Sequence, residues 1–266
     1  MAIDTARLIQ NIEKIAPASL AEGWDNTGMQ IDMGAAAVKR ALISLEITGE
    51  AISEAERLNA DFIICHHPLI FDKINIIDGN DVTGNQIIRL IRAGVSVYAA
   101  HTSFDSAYGG NNDRLAELLG LQKLRRVQPR KETPDKAILG RIGDLREEKS
   151  LDEVCGLLKA RLGIERPLPV VGRPERRIRK VGICTGGAGD LIRDFARNGC
   201  SLFITADLRH HEALFALENG ICLIDAGHYA SESIFVANFA EKLRDAVGDV
   251  LEVIESRSGR EPFRYV

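Results

Sequence analysis

The six histidines of the chain lie in three short clusters, and each cluster follows an apolar run of strand length. Ligands of open α/β sheets bind at the carboxyl ends of the strands, where the loops carry no packing duty. Histidines with purely structural roles would show no preference for strand ends. The clustering therefore predicts a functional site built from these residues: His66-His67-Pro68, His101, and His210-His211 with His228.

Two of the clusters pair a histidine with a carboxylate at the same spacing. Asp105 follows His101 by four residues, and Glu232 follows His228 by four residues. Four residues make about one helical turn, so each pair is predicted to share one face of a helix as the helix begins. We expect Glu232 in the first turn of a helix over 231–244, where the helix dipole favours a negative charge.

Imidazole and carboxylate ligands together suit borderline divalent ions, namely zinc, iron, manganese or nickel. Five such ligands exceed what one tetrahedral site takes, and a bridging Glu232 would join two ions. Two-metal sites hold their ions about 3.5–4 Å apart and lower the pKa of bound water to about 7. Taken singly, each motif also fits a histidine with only a structural role. Together they predict two divalent metal ions per subunit, bound by His66, His67, Asp105, His228 and Glu232.

His66 and His67 are neighbours in the chain, and neighbouring side chains of a strand point to opposite faces. Both imidazoles can serve one site only where the strand has already ended. Pro68 disfavours regular structure in the residue before it, so we expect the two histidines in a bend.

The remaining histidines have two interpretations each. His101 either acts as a general base or orients its loop, since it lies close to Asp105 in the chain. His211 either contacts substrate and shuttles protons, or only begins a helix. We take His101 and His211 as the candidate catalytic residues and His210 as a surface residue. The glycine-rich segment 186–189 either receives a phosphate on its backbone N–H groups or forms a tight turn.

Short apolar strands alternate with amphipathic helices along the chain, which predicts an α/β fold with mixed, largely parallel sheets. In the first half we place strands at 38–45, 61–65 and 95–100, and helices at 50–58 and 84–93. A further helix is predicted to begin at the Ser150 cap, because Glu153 follows it by three residues.

The second half repeats this order of strands and helices. Ala41 matches Val181 at an offset of 140 residues, and Gly94 matches Gly220 at an offset of 126. Such internal similarity predicts two similar three-layer α/β lobes.

A charged, proline-containing stretch over 122–135 reads as an exposed connector between the lobes. We therefore divide the chain into a first lobe, 1–128, that carries His66, His67 and Asp105, and a second lobe, 129–266. The second lobe carries the other two metal ligands.

The composition of the chain limits the kinds of partner and the cellular compartment that we expect. The formal net charge is −4, so nucleic acid is not an expected partner. The five cysteines form no Cys-x-x-Cys pair, and free buried thiols are typical of a reducing compartment. The sequence shows neither a secretory signal nor a run of apolar residues long enough to span a membrane. We expect a cytoplasmic protein.

The histidine-containing segments resemble those of the GTP cyclohydrolase 1 type 2 homologues, also called the NGG-one-interacting-factor-three-like family. The segments that carry the resemblance are His66-His67-Pro68-Leu69-Ile70-Phe71, Ala100-His101-Thr102-Ser103-Phe104-Asp105 and Gly227-His228-Tyr229-Ala230-Ser231-Glu232. The likeness extends to Gly23-Trp24-Asp25-Asn26-Thr27-Gly28, Gly186-Gly187-Ala188-Gly189-Asp190, Thr205-Ala206-Asp207-Leu208-Arg209-His210-His211 and Glu261-Pro262-Phe263-Arg264-Tyr265. The match spans nearly the whole chain.

The resemblance implies two similar α/β lobes with a dinuclear metal site in the cleft between them, and a toroidal homohexamer whose sites face an internal cavity. The metal ligands of the family carry over to the five residues named above. This chain is too short for the extra domain that some members insert between the lobes. Thr185 and Ala206 stand where many relatives have glycine, which affects the expected path of those two loops but not the ligands.

Two functions from different classes fit these features. The first is a metal-dependent hydrolase of the GTP cyclohydrolase 1 type 2-like family, acting on an unknown small molecule that the family name suggests is a nucleotide. The second is a non-enzymatic role as a metal-binding or metal-delivery ring, or as a scaffold for a partner. A serine or cysteine nucleophile is a weaker third interpretation, because the chain has no Gly-x-Ser-x-Gly motif and Cys65 lies beside the histidines only by strand register.

Overall fold

The structure, a computed structural model, describes residues 1–128 and 138–266. The helices are α1 (Thr5–Ile15), α2 (Gly49–Leu58), α3 (Val82–Ala93), α4 (Thr102–Ser106), α5 (Asn111–Leu118), α6 (Leu151–Leu162), α7 (Ile192–Arg197), α8 (His210–Glu218), α9 (His228–Glu232) and α10 (Ile234–Val247). The strands are β1 (Ile3–Asp4), β2 (Gly28–Ile31), β3 (Ala37–Val38), β4 (Arg40–Ser44), β5 (Phe62–Cys65), β6 (Ser96–Ala99), β7 (Gln122–Val127), β8 (Ile138–Ser150), β9 (Val170–Val171), β10 (Arg177–Gly187), β11 (Leu202–Ala206), β12 (Cys222–Asp225) and β13 (Glu252–Glu255). Within the described ranges, no helix has both the length and the apolar character that crossing a bilayer requires.

The chain forms two compact units, and the first comprises Met1–Gly110 and Phe235–Arg260. Its main sheet has the strand order β13-β4-β5-β6-β2, parallel throughout except for the antiparallel edge strand β2. Leu42 and Ile63 pack with apolar residues of α2 and α3 on one face. On the other face, Tyr98 of β6 donates a hydrogen bond to Glu13 of α1. Helices therefore cover both faces, which gives the three layers expected of this lobe.

The second unit comprises Asn111–Ile234 and Glu261–Val266. Its sheet has the order β7-β8-β10-β11-β12-β9, with parallel strands β10, β11 and β12 at the centre and antiparallel strands outside them. Leu202 and Ile204 lie in one core with residues of α5 and α6, whereas Phe203 between them lies in another with residues of α7 and α8. Because alternate residues of a strand point to opposite faces, the central strands are buried on both sides.

The internal repeat is visible in the strand registers. Ala41 pairs with Phe62 in the first unit, and Val181 pairs with Leu202 in the second; both 181 − 41 and 202 − 62 give 140. On the next pair of strands, Phe62 aligns with Ser96, and Leu202 aligns with Cys222, an offset of 126 from Ser96. The two offsets of the sequence repeat are thus confirmed in the pairing of three consecutive strands.

The compact units differ from the predicted division at 128/129. Residues 111–128 belong to the second unit, and 235–260 return to the first. The return is fixed by β13, which pairs with β4 so that Val253 lies opposite Ala41. A strand that rejoins an earlier sheet leaves no local sequence signal, so the boundary was missed. In the predicted connector, Gln122–Val127 is strand β7, and residues 129–137 lie outside the described part.

Most of the predicted helices and strands are present, but one predicted helix is interrupted. Helix α6 begins with the predicted capping box, in which the Ser150 hydroxyl accepts from Glu153 N and the Glu153 carboxylate accepts from Ser150 N. The helix predicted over 231–244 is divided at Ser233 into α9 and α10. Glu232 therefore ends a short helix and does not begin a long one.

Two glycines give opposite stability predictions for the second unit. A Cβ added at Gly182 of β10 would lie 2.2 Å from Phe195 Cδ1, whereas one added at Gly156 of α6 would meet no atom within 4 Å. Gly182→Ala should lower the free energy of unfolding by about 1–3 kcal/mol through overpacking. Gly156→Ala should raise it by about 0.5–1 kcal/mol, because glycine is costly inside a helix. Urea unfolding midpoints measure both changes, and equal midpoints for the two variants would contradict the described packing.

Candidate metal centre

Three imidazoles meet at the carboxyl ends of β5 and β6 in the first unit. His66 and His67 follow β5 in the predicted bend, and His101 follows β6 as the residue before α4. One donor nitrogen from each ring lies within 4.8 Å of those of the other two. His101, a candidate catalytic residue, therefore also lies among nitrogen atoms that could hold a metal ion.

Protein oxygens lie beside the Nδ1 atoms of these three rings. His66 Nδ1 lies 3.1 Å from Ala100 O, and because a carbonyl oxygen only accepts, this Nδ1 must carry the proton. His101 Nδ1 lies 2.8 Å from Asp25 Oδ1, and His67 Nδ1 lies 3.5 Å from Glu46 Oε1. A neutral imidazole protonated on Nδ1 offers its lone pair on Nε2. For His66 and His101, these hydrogen bonds make Nε2 the metal-binding or proton-accepting atom.

Asp105 lies on α4, is 5 % exposed, and has His66 as its neighbour in the structure. Its Oδ2 atom is 3.6 Å from His66 Nε2. The spacing of four residues predicts His101 as its partner, but His101 precedes α4 and is held by Asp25. His101 and Asp105 therefore do not share one helix face as expected. Each contacts a residue distant in the chain instead: Asp25 for His101, and His66 for Asp105.

Asp25 is the residue that fixes this loop. Its carboxylate accepts from His101 Nδ1, from Thr102 N at 3.1 Å and from Thr102 Oγ1 at 2.5 Å. Burial alone would raise the pKa of Asp25, but the hydrogen bonds from His101 and Thr102 outweigh it and hold the pKa below its usual value. Asp25 is therefore a carboxylate at neutral pH, able to keep the His101 ring oriented.

The second unit carries the other predicted ligands on α9. His228 Nε2 lies 2.9 Å from Glu232 Oε2, so the spacing of four residues does bring this pair together. His228 Nδ1 lies 2.6 Å from Asp207 Oδ2, just beyond the end of β11. Metal-binding histidines commonly donate one ring N–H to a carboxylate, as His228 Nδ1 does to Asp207, and this bond fixes the ring orientation.

Gly186, at the end of β10, provides the space that the Glu232 carboxylate occupies. A Cβ at Gly186 would lie 2.1 Å from Glu232 Oε1, and the backbone φ of +68° also favours glycine. Gly186 N donates to Ser231 Oγ at 3.1 Å, and Ala188 N donates to Thr205 Oγ1 at 3.0 Å. These N–H groups are already used within the protein, which supports the tight-turn interpretation of 186–189 over phosphate binding.

The donor atoms of each unit fit a divalent ion. Zinc lies about 2.0–2.2 Å from nitrogen and oxygen ligands, so two ligands of one ion are roughly 3–4 Å apart. The His66–Asp105 separation of 3.6 Å and the His228–Glu232 separation of 2.9 Å are close to that range. Imidazole and carboxylate are also the ligand types that zinc, iron and manganese accept. Each unit therefore holds His and carboxylate groups that could bind a metal.

The other sequence candidates lie in different surroundings. His210 and His211 form the exposed start of α8. The catalytic role of His211 stays a prediction. Burial raises the pKa of the Cys65 thiol to about 12, so Cys65 is a poor nucleophile at neutral pH.

Three carboxylates lie beside the Nδ1 atoms of the histidines without being among the predicted site residues. Asp25, Glu46 and Asp207 were absent from the predicted site, although Asp207 directly follows β11. Position just beyond a buried strand was the available signal for Asp207. Asp25 lies 76 residues before its partner His101, and nothing in the local pattern links the two.

Known proteins resemble this chain over nearly its whole length. A 33 % identical relative from Clostridium perfringens, named GTP cyclohydrolase 1 type 2 homolog, matches over 97 % of this chain and 98 % of its own length. A protein of the same name from Clostridium acetobutylicum is 30 % identical over the full length of both chains. The crystal structure of a Bacillus cereus protein related to NIF3 superposes with a TM-score of 0.90 at 24 % identity, covering 99 % of each chain.

A second structural neighbour is reduced HcgD from Methanocaldococcus jannaschii. It has a TM-score of 0.80 at 28 % identity and covers 96 % of this chain and 98 % of its own. Residues 3–262 also match the profile of one protein family. The chain belongs to the Duf34/NIF3 (NGG1p interacting factor 3) family.

Proposed function

We propose that the chain binds two divalent metal ions through its five predicted ligands and acts as a metal-dependent hydrolase on a small molecule. The ligands are His66, His67, Asp105, His228 and Glu232. The observation that carries the proposal is the orientation of two imidazoles: the Nδ1 atoms of His66 and His228 face protein oxygens, and their Nε2 atoms face the carboxylates of Asp105 and Glu232. Histidines with only a structural role have no reason to use the same ring nitrogen, Nδ1, toward the protein.

The metal ligands, His101 and His211 have different roles in the proposed reaction. A divalent ion bound there would lower the pKa of a coordinated water to about 7 and polarise the substrate. His101 is the general base of the proposal, because Asp25 holds its Nδ1 and leaves Nε2 to accept a proton. His211 is proposed to contact substrate from the exposed start of α8.

The names of the relatives support a substrate class. Proteins from two Clostridium species that match nearly the whole chain are named GTP cyclohydrolase 1 type 2 homologs. We propose a nucleotide as the substrate on that basis. The alternative is a metal-binding or metal-delivery protein without turnover, and it shares the same ligands.

The assembly and the compartment are part of the same proposal. The family resemblance supports a toroidal homohexamer in the cytoplasm. Four buried cysteine thiols form no disulfide, which suits a reducing compartment: Cys65, Cys184, Cys200 and Cys222. Sedimentation of the purified protein measures the mass of the assembly.

Metal content tests the ligands directly. Protein purified without chelator or affinity tag should contain about two equivalents of divalent metal per chain. Glu232→Gln keeps the shape of the side chain but removes its charge, so metal content should fall to about one equivalent or less. His210→Gln, which changes an exposed histidine outside the predicted ligand set, is the matched control and should keep both equivalents.

Measurement of metal content also shows whether the ligands of the two units bind the same ions or different ones. Asp105→Asn changes the first unit and Glu232→Gln changes the second, so similar metal loss in both variants supports common ions. Native mass spectrometry of the intact, metal-bound protein gives the number of ions per chain. Circular dichroism checks that the variants fold. A wild-type protein that stays free of metal after incubation with zinc, manganese and iron would end the proposal.

Asp207 should tune metal affinity although it is not a predicted ligand. Its carboxylate accepts a hydrogen bond from His228 Nδ1 at 2.6 Å. Asp207→Asn should weaken metal binding by about 10–100-fold, the usual effect of removing such a partner. Competition with a chromophoric chelator measures the affinity. An unchanged affinity would show that Asp207 does not act through His228.

Turnover distinguishes the hydrolase from the metal-delivery alternative. The metal-loaded protein should hydrolyse at least one member of a panel of nucleotides and phosphoesters. His101→Gln should lower that rate, expressed per bound metal ion, by about 10²–10⁴-fold, as loss of a general base does. A fully loaded protein that turns over no member of the panel would favour metal delivery or binding.

A further inference from the structure

Two aromatic side chains beside the histidines of the first unit are unusually exposed for their size. Trp24 is 58 % exposed and Phe71 is 50 % exposed. Their ring centroids lie 6.1 Å apart, and the centroids of Trp24 and Phe71 lie 5.9 Å and 6.4 Å from that of His101. Leaving such large apolar surfaces in water is costly, so their position at the candidate site calls for a ligand.

The backbone on either side of Trp24 is held firmly. Asp25, the next residue, accepts three hydrogen bonds from His101 and Thr102. Glu22 N donates to Thr102 Oγ1 at 3.0 Å, and Thr27 Oγ1 donates to Ala99 O at 3.0 Å. The indole is therefore carried on a rigid turn, which lowers the entropy cost of binding a ligand against it.

Phe71 is positioned by the same turn. Asn26 Nδ2 donates to Ile70 O at 2.5 Å, and Ile70 N donates to Gln30 Oε1 at 3.1 Å. Gln30 Nε2 in turn donates to Asn26 O at 2.7 Å. These three bonds tie the segment that follows His66 and His67 to the turn that carries Trp24. The two rings thus keep their relative positions without packing in a core.

The two rings form an open surface on which a ligand can lie, and they leave no gap between them for a ligand to enter. The Trp24 and Phe71 planes are inclined by 50°, and at 6.1 Å between centroids no third ring fits between them. A flat ligand can stack only on an exposed face, and Trp24 offers the larger one. An aliphatic ligand would gain only the burial of apolar surface, whereas a planar ring gains stacking energy as well.

From these contacts we propose that Trp24 and Phe71 form a stacking surface for a planar heteroaromatic ring of nucleobase size. A ring stacked on Trp24 lies beside His101, so the rest of the molecule can reach the neighbouring imidazoles. The inference rests on the proposed function for the reaction, but the stacking itself needs no turnover. It identifies the substrate as one with a flat ring, and it assigns to Trp24 and Phe71 the binding of that ring.

Trp24 is the only tryptophan of the chain, so its fluorescence reports this surface alone. Guanosine monophosphate should quench the emission of the metal-loaded protein in a saturable manner, with excitation at the red edge where purines absorb little. Ribose 5-phosphate, which has the sugar and phosphate but no flat ring, should leave the emission unchanged. N-acetyl-tryptophanamide corrects for collisional quenching and absorption by the nucleotide.

Variants test the two side chains by calorimetric titration with guanosine monophosphate. Trp24→Ala should weaken binding by about tenfold, the fold-change expected from one stacked ring, and Trp24→Phe should recover part of it. Phe71→Ala should weaken binding less. Phe263→Ala removes an exposed ring of the second unit and is the control that should not change the affinity.

The outcomes separate this inference from the proposed function. Absence of saturable quenching, or equal affinity for wild type and Trp24→Ala, overturns the stacking surface whether or not the protein binds metal. Quenching by the nucleotide in a protein that takes up no metal supports the stacking surface and refutes the metal-dependent hydrolase. If Trp24→Ala and Phe71→Ala change the sedimenting mass but not the nucleotide affinity, the rings belong to an interface between copies, and the inference is wrong.

Discussion

An imidazole has two nitrogen atoms, and the use of one dictates what the other can do. In this protein His66, His67, His101 and His228 each have a protein oxygen beside Nδ1. For His66, His101 and His228 the contact is a hydrogen bond, to one carbonyl and two carboxylates, so both the ring orientation and the choice of nitrogen are set before any ligand arrives. The rest of the candidate site depends on this arrangement, because metal binding and proton transfer both require a correctly directed lone pair.

Close packing supports that orientation in the second unit. Gly186 leaves room for the Glu232 carboxylate, and Gly187 leaves room for Asp207, whose Oδ2 would lie 3.1 Å from an added Cβ. The glycine-rich segment therefore accommodates the side chains of α9 and the β11 end. Its resemblance to phosphate-binding loops is superficial, since Gly186 and Gly187 are needed for space and the N–H groups of Gly186 and Ala188 bond within the protein.

In the first unit, Asp25 serves two purposes at once. Its carboxylate orients His101, and its place in the chain fixes the turn that carries Trp24. A change at Asp25 would therefore disturb the proposed base and the proposed ring-binding surface together. This coupling gives a physical reason for a tryptophan to stay exposed on a rigid turn: the same hydrogen bonds that direct the imidazole also hold the indole beside it.

The sequence by itself determined those features that depend on neighbours along the chain. The strands and their ends, the cap of α6 and the His228–Glu232 pair all follow from spacings within one helical turn or one strand. Only the tertiary structure decided which distant groups meet, such as Asp25 with His101, or β13 with β4. Such contacts join residues tens to hundreds of positions apart, and they arise from sheet register and core packing, for which a single sequence carries no local pattern.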